Sequence, residues 1–331
     1  MRVLGLGLIV VGCTGLAAAF VACGGASGNN GFADSDAGSG TAQDSGGTKN
    51  PSDSGGLSGG DSGGTTEPGP TIFYAHTDTT LYSLDPTNIS ATPTKIGDFD
   101  CIDGSGDTAA MTDIGVAKDG TLYGVSQGAA YPLEIKSGSV HCAASWPLPS
   151  KSKGVFYGLT VAPENTVSTE EVLIAADSAG ALWKIDATSG ITTQVGTFGS
   201  GWGLSGDIVF LANGGSPLGF ATVRKSTSSG TDTLIEIDVS KVKPGSAAVM
   251  KTELGPVNKG SWCTNASSPS TFGSMYGIAA YQDKVYGFSR QGDIVEIHND
   301  DGSGCLINAF STMKFAGAGV TTSAPVVAPP R

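Results

Sequence analysis

The side chains able to do chemistry in this chain are few, and their spacing narrows what they can do. Beyond the first 23 residues there are four cysteines: Cys101, Cys142, Cys263 and Cys305. None forms a C-x-x-C pair, and His76, His141 and His298 stand at no metal-ligand spacing from them, so a zinc site is not expected. An even set of cysteines in an oxidising compartment reads as two disulfides, with three connectivities open. Asp113 and Asp207 occupy equivalent positions at the starts of two small-residue strands. Acids so placed can face one another across an axis and hold a divalent cation weakly, or each can accept a hydrogen bond from the neighbouring element, which is the commoner role. No P-loop occurs and no serine-hydrolase elbow is expected, so no catalytic set is assigned. Of the tryptophans, Trp183 lies in an alternating apolar strand and reads as core. Trp202 and Trp262 fall in segments read as loops and are the candidates for ligand contact.

What must position these residues is a repeat. Beyond Pro70 the chain consists of short alternating apolar stretches separated by Gly, Asp, Asn and Ser, the pattern of strands and turns, with no helical periodicity. Four units recur, each opening with a small-residue strand: Asp113 to Ala117, Gly158 to Ala162, Asp207 to Leu211 and Gly277 to Tyr281. Each continues with three further strands, as in Thr121 to Val125, Leu133 to Lys136 and Val140 to Cys142. Four strands per repeat, with small residues on the innermost, is the make-up of a propeller blade. In the third strands, Tyr82 and Leu84, Leu133 and Ile135, Trp183 and Ile185, Ile235 and Ile237, and Val295 and Ile297 alternate equivalently and are expected to pack between blades. Asp85, Asp186 and Asp238 follow directly, where a carboxylate can close a turn.

The first unit, from Ile72 to Phe99, lacks its innermost strand, and Ala316 to Val320 resembles the missing piece. The expected fold is therefore all-β: a β-propeller over residues 71–325, five blades favoured over six, its ring closed by a C-terminal strand, with a disordered tail at 326–331. In that frame three cysteines fall on or beside fourth strands and Cys263 lies in a long loop, which favours the pairs Cys101–Cys142 and Cys263–Cys305.

Upstream, Met1 and Arg2 precede an apolar run to Val21, the layout of a secretory signal. Phe20-Val21-Ala22-Cys23 resembles the lipobox of bacterial lipoproteins, with Phe20 in place of the usual Leu. The resemblance implies a signal peptide at 1–22, cleavage before Cys23, and lipidation of Cys23 by palmitate-type acyl chains. It also implies, from Gly24 rather than Asp, sorting to the outer membrane, facing either the periplasm or the cell surface. Residues 23–70 carry Asp-Ser-Gly-Gly three times and almost no large apolar side chain, so they are expected to be a disordered tether.

With 51 glycines in 331 residues, only 15% charged residues and a net charge of −12, the chain suits strands and turns and would be repelled by nucleic acid. The cadence Asp119 to Gly124 and Leu81 to Pro86 is similar to that of divergent NHL, SMP-30/gluconolactonase and quinoprotein-like propellers. That resemblance implies the fold and, from the SMP-30 group, a divalent cation at one channel mouth; otherwise no cofactor is predicted. The function expected is a monomeric, noncatalytic module of the cell envelope, held to the membrane by its lipid and binding a protein or extracellular ligand. The alternatives are a metal-dependent lactonase and a scaffold subunit of an envelope complex.

Overall fold

A computed structural model describes residues 71–149, 154–199, 201–225 and 230–326. The signal segment, Cys23, the tether to residue 70 and residues 327–331 lie outside the described residues.

Strands that alternate apolar and polar residues, broken every few positions by turn formers, can only bury one face by pairing with the next strand. They do so here in sequence. The first blade holds β1 (Phe73–His76), β2 (Thr80–Leu84) and β3 (Thr94–Phe99). The second holds β4 (Met111–Val116), β5 (Leu122–Ser126), β6 (Ala129–Lys136) and β7 (Ser139–Cys142), with the short β8 (Trp146–Pro147) paired to β6. The third comprises β9 (Phe156–Ala162), β10 (Val172–Asp177), β11 (Ala181–Ile185) and β12 (Thr192–Thr197). The fourth comprises β13 (Trp202–Leu211), β14 (Leu218–Lys225), β15 (Thr233–Ile237) and β16 (Met250–Pro256). In the fifth are β17 (Met275–Tyr281), β18 (Lys284–Ser289), β19 (Asp293–Ile297) and β20 (Gly304–Ala309). Finally β21 (Gly317–Val320) pairs antiparallel with β1, Ala318 opposite Ala75, and completes the first blade from the far end of the chain.

The result is a five-bladed propeller. Its inner strands β21, β4, β9, β13 and β17 pack each against the next around one axis. The apolar faces between blades form five buried clusters. The one that joins the last blade to the first is centred on Phe73, which meets Tyr286 and Phe288 edge-on at 5.5 and 6.3 Å. Turn aspartates act as the sequence implies: Asp186 Oδ1 accepts from the amides of Thr188 and Ser189 at 3.0 and 2.7 Å, and Asp85 Oδ1 from that of Thr87 at 2.8 Å.

Two arrangements depart from simple blade geometry. The outermost strands of blades 1 and 2 hydrogen-bond to each other in parallel, Asp98 opposite Ser139 and Phe99 opposite Val140. Gly97 permits this, since a Cβ there would collide with the Ser139 backbone. Asp100 reinforces the seam by accepting from the Cys142 amide at 2.9 Å and meeting His141 Nδ1 at 2.6 Å. The disulfide Cys101–Cys142 lies across the same seam, and Cys263–Cys305 ties the long loop to β20. Because the two blades meet there edge to edge, no sheet covers the far end of β6. Ile135, expected between blades, is 49% exposed.

Candidate functional site

The inner strands share a register at the axis. Asp113 of β4, Gly158 of β9, Asp207 of β13, Gly277 of β17 and Gly317 of β21 form one level. A Cβ on Gly158 would lie 3.4 Å from Asp207 Cα, and one on Gly277 would strike the Gly317–Ala318 backbone. One on Gly317 would strike both Asp113 and His76. Glycine at three of five positions is what lets two carboxyl groups fit inside so narrow a ring.

Both aspartates are fully buried and hydrogen-bonded. Asp113 Oδ2 accepts from the Leu159 amide at 2.5 Å, while Asp207 accepts from the Ile278 amide at 2.7 Å and from its neighbour Ile208 at 2.5 Å. Each carboxyl thus reaches into the next blade. The two carboxyl groups are close enough to act on each other electrostatically, and Asp113 Oδ1 is buried without a hydrogen-bond partner. Burial, with the Asp207 charge added, pushes Asp113 well above the usual carboxylate range. Burial raises Asp207 to about 7 against the opposing pull of the neighbouring Asp113 carboxyl and of the Ile278 and Ile208 amides.

His76 completes this level from β1. Its Nδ1 lies 2.8 Å from the Thr77 carbonyl oxygen and so carries the proton, which leaves Nε2 as a bare, buried lone pair without a hydrogen-bond partner. Burial lowers its pKa to about 4 and keeps the ring neutral. The closing strand β21 covers it, because Gly317 lets the backbone lie directly against the imidazole.

At this level the carboxyl oxygens accept from the Leu159, Ile208 and Ile278 amides, and the other three inner-strand positions are glycines that supply no ligand atom. Asp113 Oδ1, like His76 Nε2, is buried without a hydrogen-bond partner.

Substituting Asp113 by Asn separates these charges from the fold. A raised carboxyl pKa makes the folded state the tighter proton binder, so stability falls as pH rises above the unfolded value, near 3.8, towards the folded one. His76, lowered from 6.5 to about 4, acts in the opposite sense and costs stability as pH falls below 6.5. An amide at 113 can keep the bond from Leu159 and has no proton to lose. Asp113→Asn is thus expected to melt higher than the parent at pH 8, with a smaller difference at pH 5. Equal destabilisation at both pH values in calorimetry would count against a raised carboxyl pKa at this level.

Above the Asp level, at the N-terminal ends of the inner strands, the axis opens into two adjoining cavities of about 210 and 420 Å³. Both are walled by Tyr157 and Tyr276, whose rings are 5.9 Å apart and inclined at 43°. These tyrosines lie one residue before Gly158 and Gly277, a position the sequence reading did not single out. The smaller cavity adds Thr112, Gln127, Asp78 and Arg290. Arg290 bridges blades 5 and 1 by a two-pronged bond to Asp78, at 2.5 and 3.1 Å, with its guanidinium 5.8 Å from the Tyr276 ring. The larger cavity adds Trp202, Lys225 and Arg224. Asp232, buried beneath, accepts from the Met275 amide at 2.8 Å and from Arg224 Nη2 at 2.6 Å, which fixes the arginine in the wall.

Below the Asp level the channel narrows to about 90 Å³, lined by Ile114, Leu159, Ile208, Ile278 and Ala318. The chain following β21 crosses this end. Thr321 Oγ1 donates to the Ala117 carbonyl at 2.9 Å, the Gln282 amide donates to Pro325 at 2.6 Å, and Ala324 and Val326 face the cavity. One mouth is open and polar, the other stoppered and apolar.

Of the sequence candidates, Trp202 lines the open mouth, whereas Asp113 and Asp207 lie fully buried on the axis beneath it. Trp202 opens β13 rather than lying in a loop, is 8% exposed, and has Lys225 Nζ 4.6 Å above its ring. Trp262 is elsewhere, stacked on His298 at 3.9 Å and bonded to Ser303 on blade 5. The run Gly124-Val125-Ser126-Gln127-Gly128 does spell G-x-S-x-G, contrary to expectation. Ser126 nonetheless ends a strand in a β-hairpin, fully buried, with Oγ 3.1 Å from the Tyr131 hydroxyl, which is not the strand-to-helix turn that exposes a hydrolase nucleophile.

No protein-family model matches the chain, and no curated protein matches it. Among solved structures it is similar to a protein of unknown function from Bacteroides caccae, at 8% identity, 76% of this chain, 98% of that one and a TM-score of 0.40. A structure from work on the de novo evolutionary emergence of a symmetrical protein is similar at 14% identity, 78% of this chain, 99% of that one and a TM-score of 0.40.

Proposed function

We propose that this protein is a noncatalytic binding module, displayed at the bacterial outer membrane by a lipid on Cys23, that takes its ligand at the open mouth of the propeller. The observation that carries this reading is the asymmetry of the channel: one end stoppered by its own C-terminal segment, the other holding two cavities that meet at Tyr157 and Tyr276. Their volumes fall in or near the range of about 300–1,000 Å³ typical of small-ligand sites. Aromatic faces with hydroxyl, amide and guanidinium neighbours suit recognition, whereas no nucleophile, base and orienting group converge there among the described residues.

The anchor rests on Phe20 to Cys23, and among the described residues no helix is long and apolar enough to cross a membrane. One experiment addresses both parts. Full-length protein is expressed with radiolabelled palmitate, purified in detergent, and applied to arrays of neutral saccharides, acidic saccharides and short peptides. The expected outcome is label that disappears in Cys23→Ser, together with array binding that Tyr276→Ala weakens at least tenfold. Array binding indifferent to Tyr276, or lactone turnover abolished by Asp113→Asn, would overturn the reading of the mouth.

A further inference from the structure

Resting on that reading of the mouth, we infer that its ligand is an acidic saccharide, with Lys225 and Arg224 forming an anion subsite beside a stacking wall of Tyr157 and Tyr276. The chain carries a net charge of −12, yet the residues lining the larger cavity include two cations and no acid. The acids that accompany them, Asp232 behind Arg224 and Glu253 4.0 Å from Lys225, stand outside that lining, so the cavity wall itself presents donors to an anion.

The two cations are differently held. Arg224 is fixed by Asp232 and by the Gly230 carbonyl at 2.9 Å, and its Nε is a buried donor with no hydrogen-bond partner. Lys225 rests over the Trp202 ring, where it is about half exposed. Its approach to Glu253 Oε2 is 4.0 Å, the outer limit of an ion pair, with both side chains in water, so it can turn to a ligand at little expense. A preset guanidinium and a mobile ammonium together suit one carboxylate or sulfate group.

The body of the ligand follows from the remaining walls. Two tyrosine rings present flat apolar faces, and Ser178 and Ser205 stand beside them in the larger cavity. A sugar ring offers that combination in reverse, a C–H face to stack and hydroxyls to hydrogen-bond. A peptide would need a free sheet edge or apolar side-chain pockets. At this mouth the inner strands are already paired on one side and packed blade to blade on the other.

The test is titration calorimetry of the full-length protein in detergent with four oligosaccharides of equal length: a uronate, its methyl ester, a sulfated form and a neutral form. The uronate or the sulfated form, whichever supplies the anion, is expected to bind at least roughly tenfold tighter than the neutral form, as one charge-assisted contact implies. The advantage should shrink at high salt. Lys225→Ala should bring the ratio of acidic to neutral affinity down towards one. A charge preference that survives Lys225→Ala, equal affinity for ester and acid, or selection of peptides over saccharides would each overturn the inference. In those cases Tyr276-dependent binding would still support the mouth, whereas loss of all Tyr276-dependent binding would remove the underlying reading as well.

Discussion

A chain that stops at Phe315 is expected to show no cooperative thermal transition. Residues 316–326 supply the innermost strand of blade 1, pair along β1 from Phe73 to His76, cover His76 and stopper the lower channel. Their removal exposes the paired edge of β1, opens the buried cluster around Phe73 that contains Ala318, and lets water reach the Asp113–Asp207 pair. A ring held by five interfaces loses two of them at once, since β21 packs against both β17 and β4. Circular dichroism melts and limited proteolysis would read the loss. A permuted chain provides the control. Because Val320 lies opposite Phe73, a short turn from β21 into β1 makes an ordinary hairpin, and a protein beginning at residue 316 and ending at Phe315 should recover the fold. A sharp melt in the truncated chain, or none in the permuted one, would show that closure by β21 is not what completes the ring.

Breaking the bond between Cys101 and Cys142 is the second large effect expected. The partners are 41 residues apart in sequence, and the chain-entropy model assigns such a crosslink about 4 kcal/mol. For a domain of this size, that corresponds to a fall in melting temperature on the order of 10 °C. Cys101→Ser with Cys142→Ser should therefore lower the global transition, and reductant should lower the parent to match. The second bridge closes a similar span of 42 residues but fastens a loop to its own blade. Its removal should also speed hydrogen exchange across residues 257–274. A melting temperature insensitive to reductant would argue that neither bond contributes in the folded protein.

Much of this architecture was legible from local patterning. Strands alternate with a period of two, and turn aspartates such as Asp186 act within a few residues of themselves, so both are written in short windows. The missing inner strand of the first unit and the spare small-residue strand at Ala316 to Val320 were a matter of counting, and the structure pairs them. Both disulfides followed from placing the cysteines within the repeat. The equivalence of Asp113 and Asp207 likewise came from alignment of units.

Other features have no local signature. Periodicity tells which face of a strand is buried, but not which end of the ring a residue reaches, so nothing in the sequence marks Tyr157 and Tyr276 as walls of a cavity. Arg290 and Asp78 are 212 residues apart and meet only because blade 5 closes on blade 1. Ile135 has the right alternation and still faces water, since the edge pairing of β3 with β7 withholds its cover. The sequence by itself determined the repeat, the closure and the crosslinks, because each is a relation between neighbouring residues or between copies of one unit. Only the tertiary structure decided the site, because five strands from distant parts of the chain must converge on one axis before two acids can be buried side by side and two tyrosines can wall a cavity.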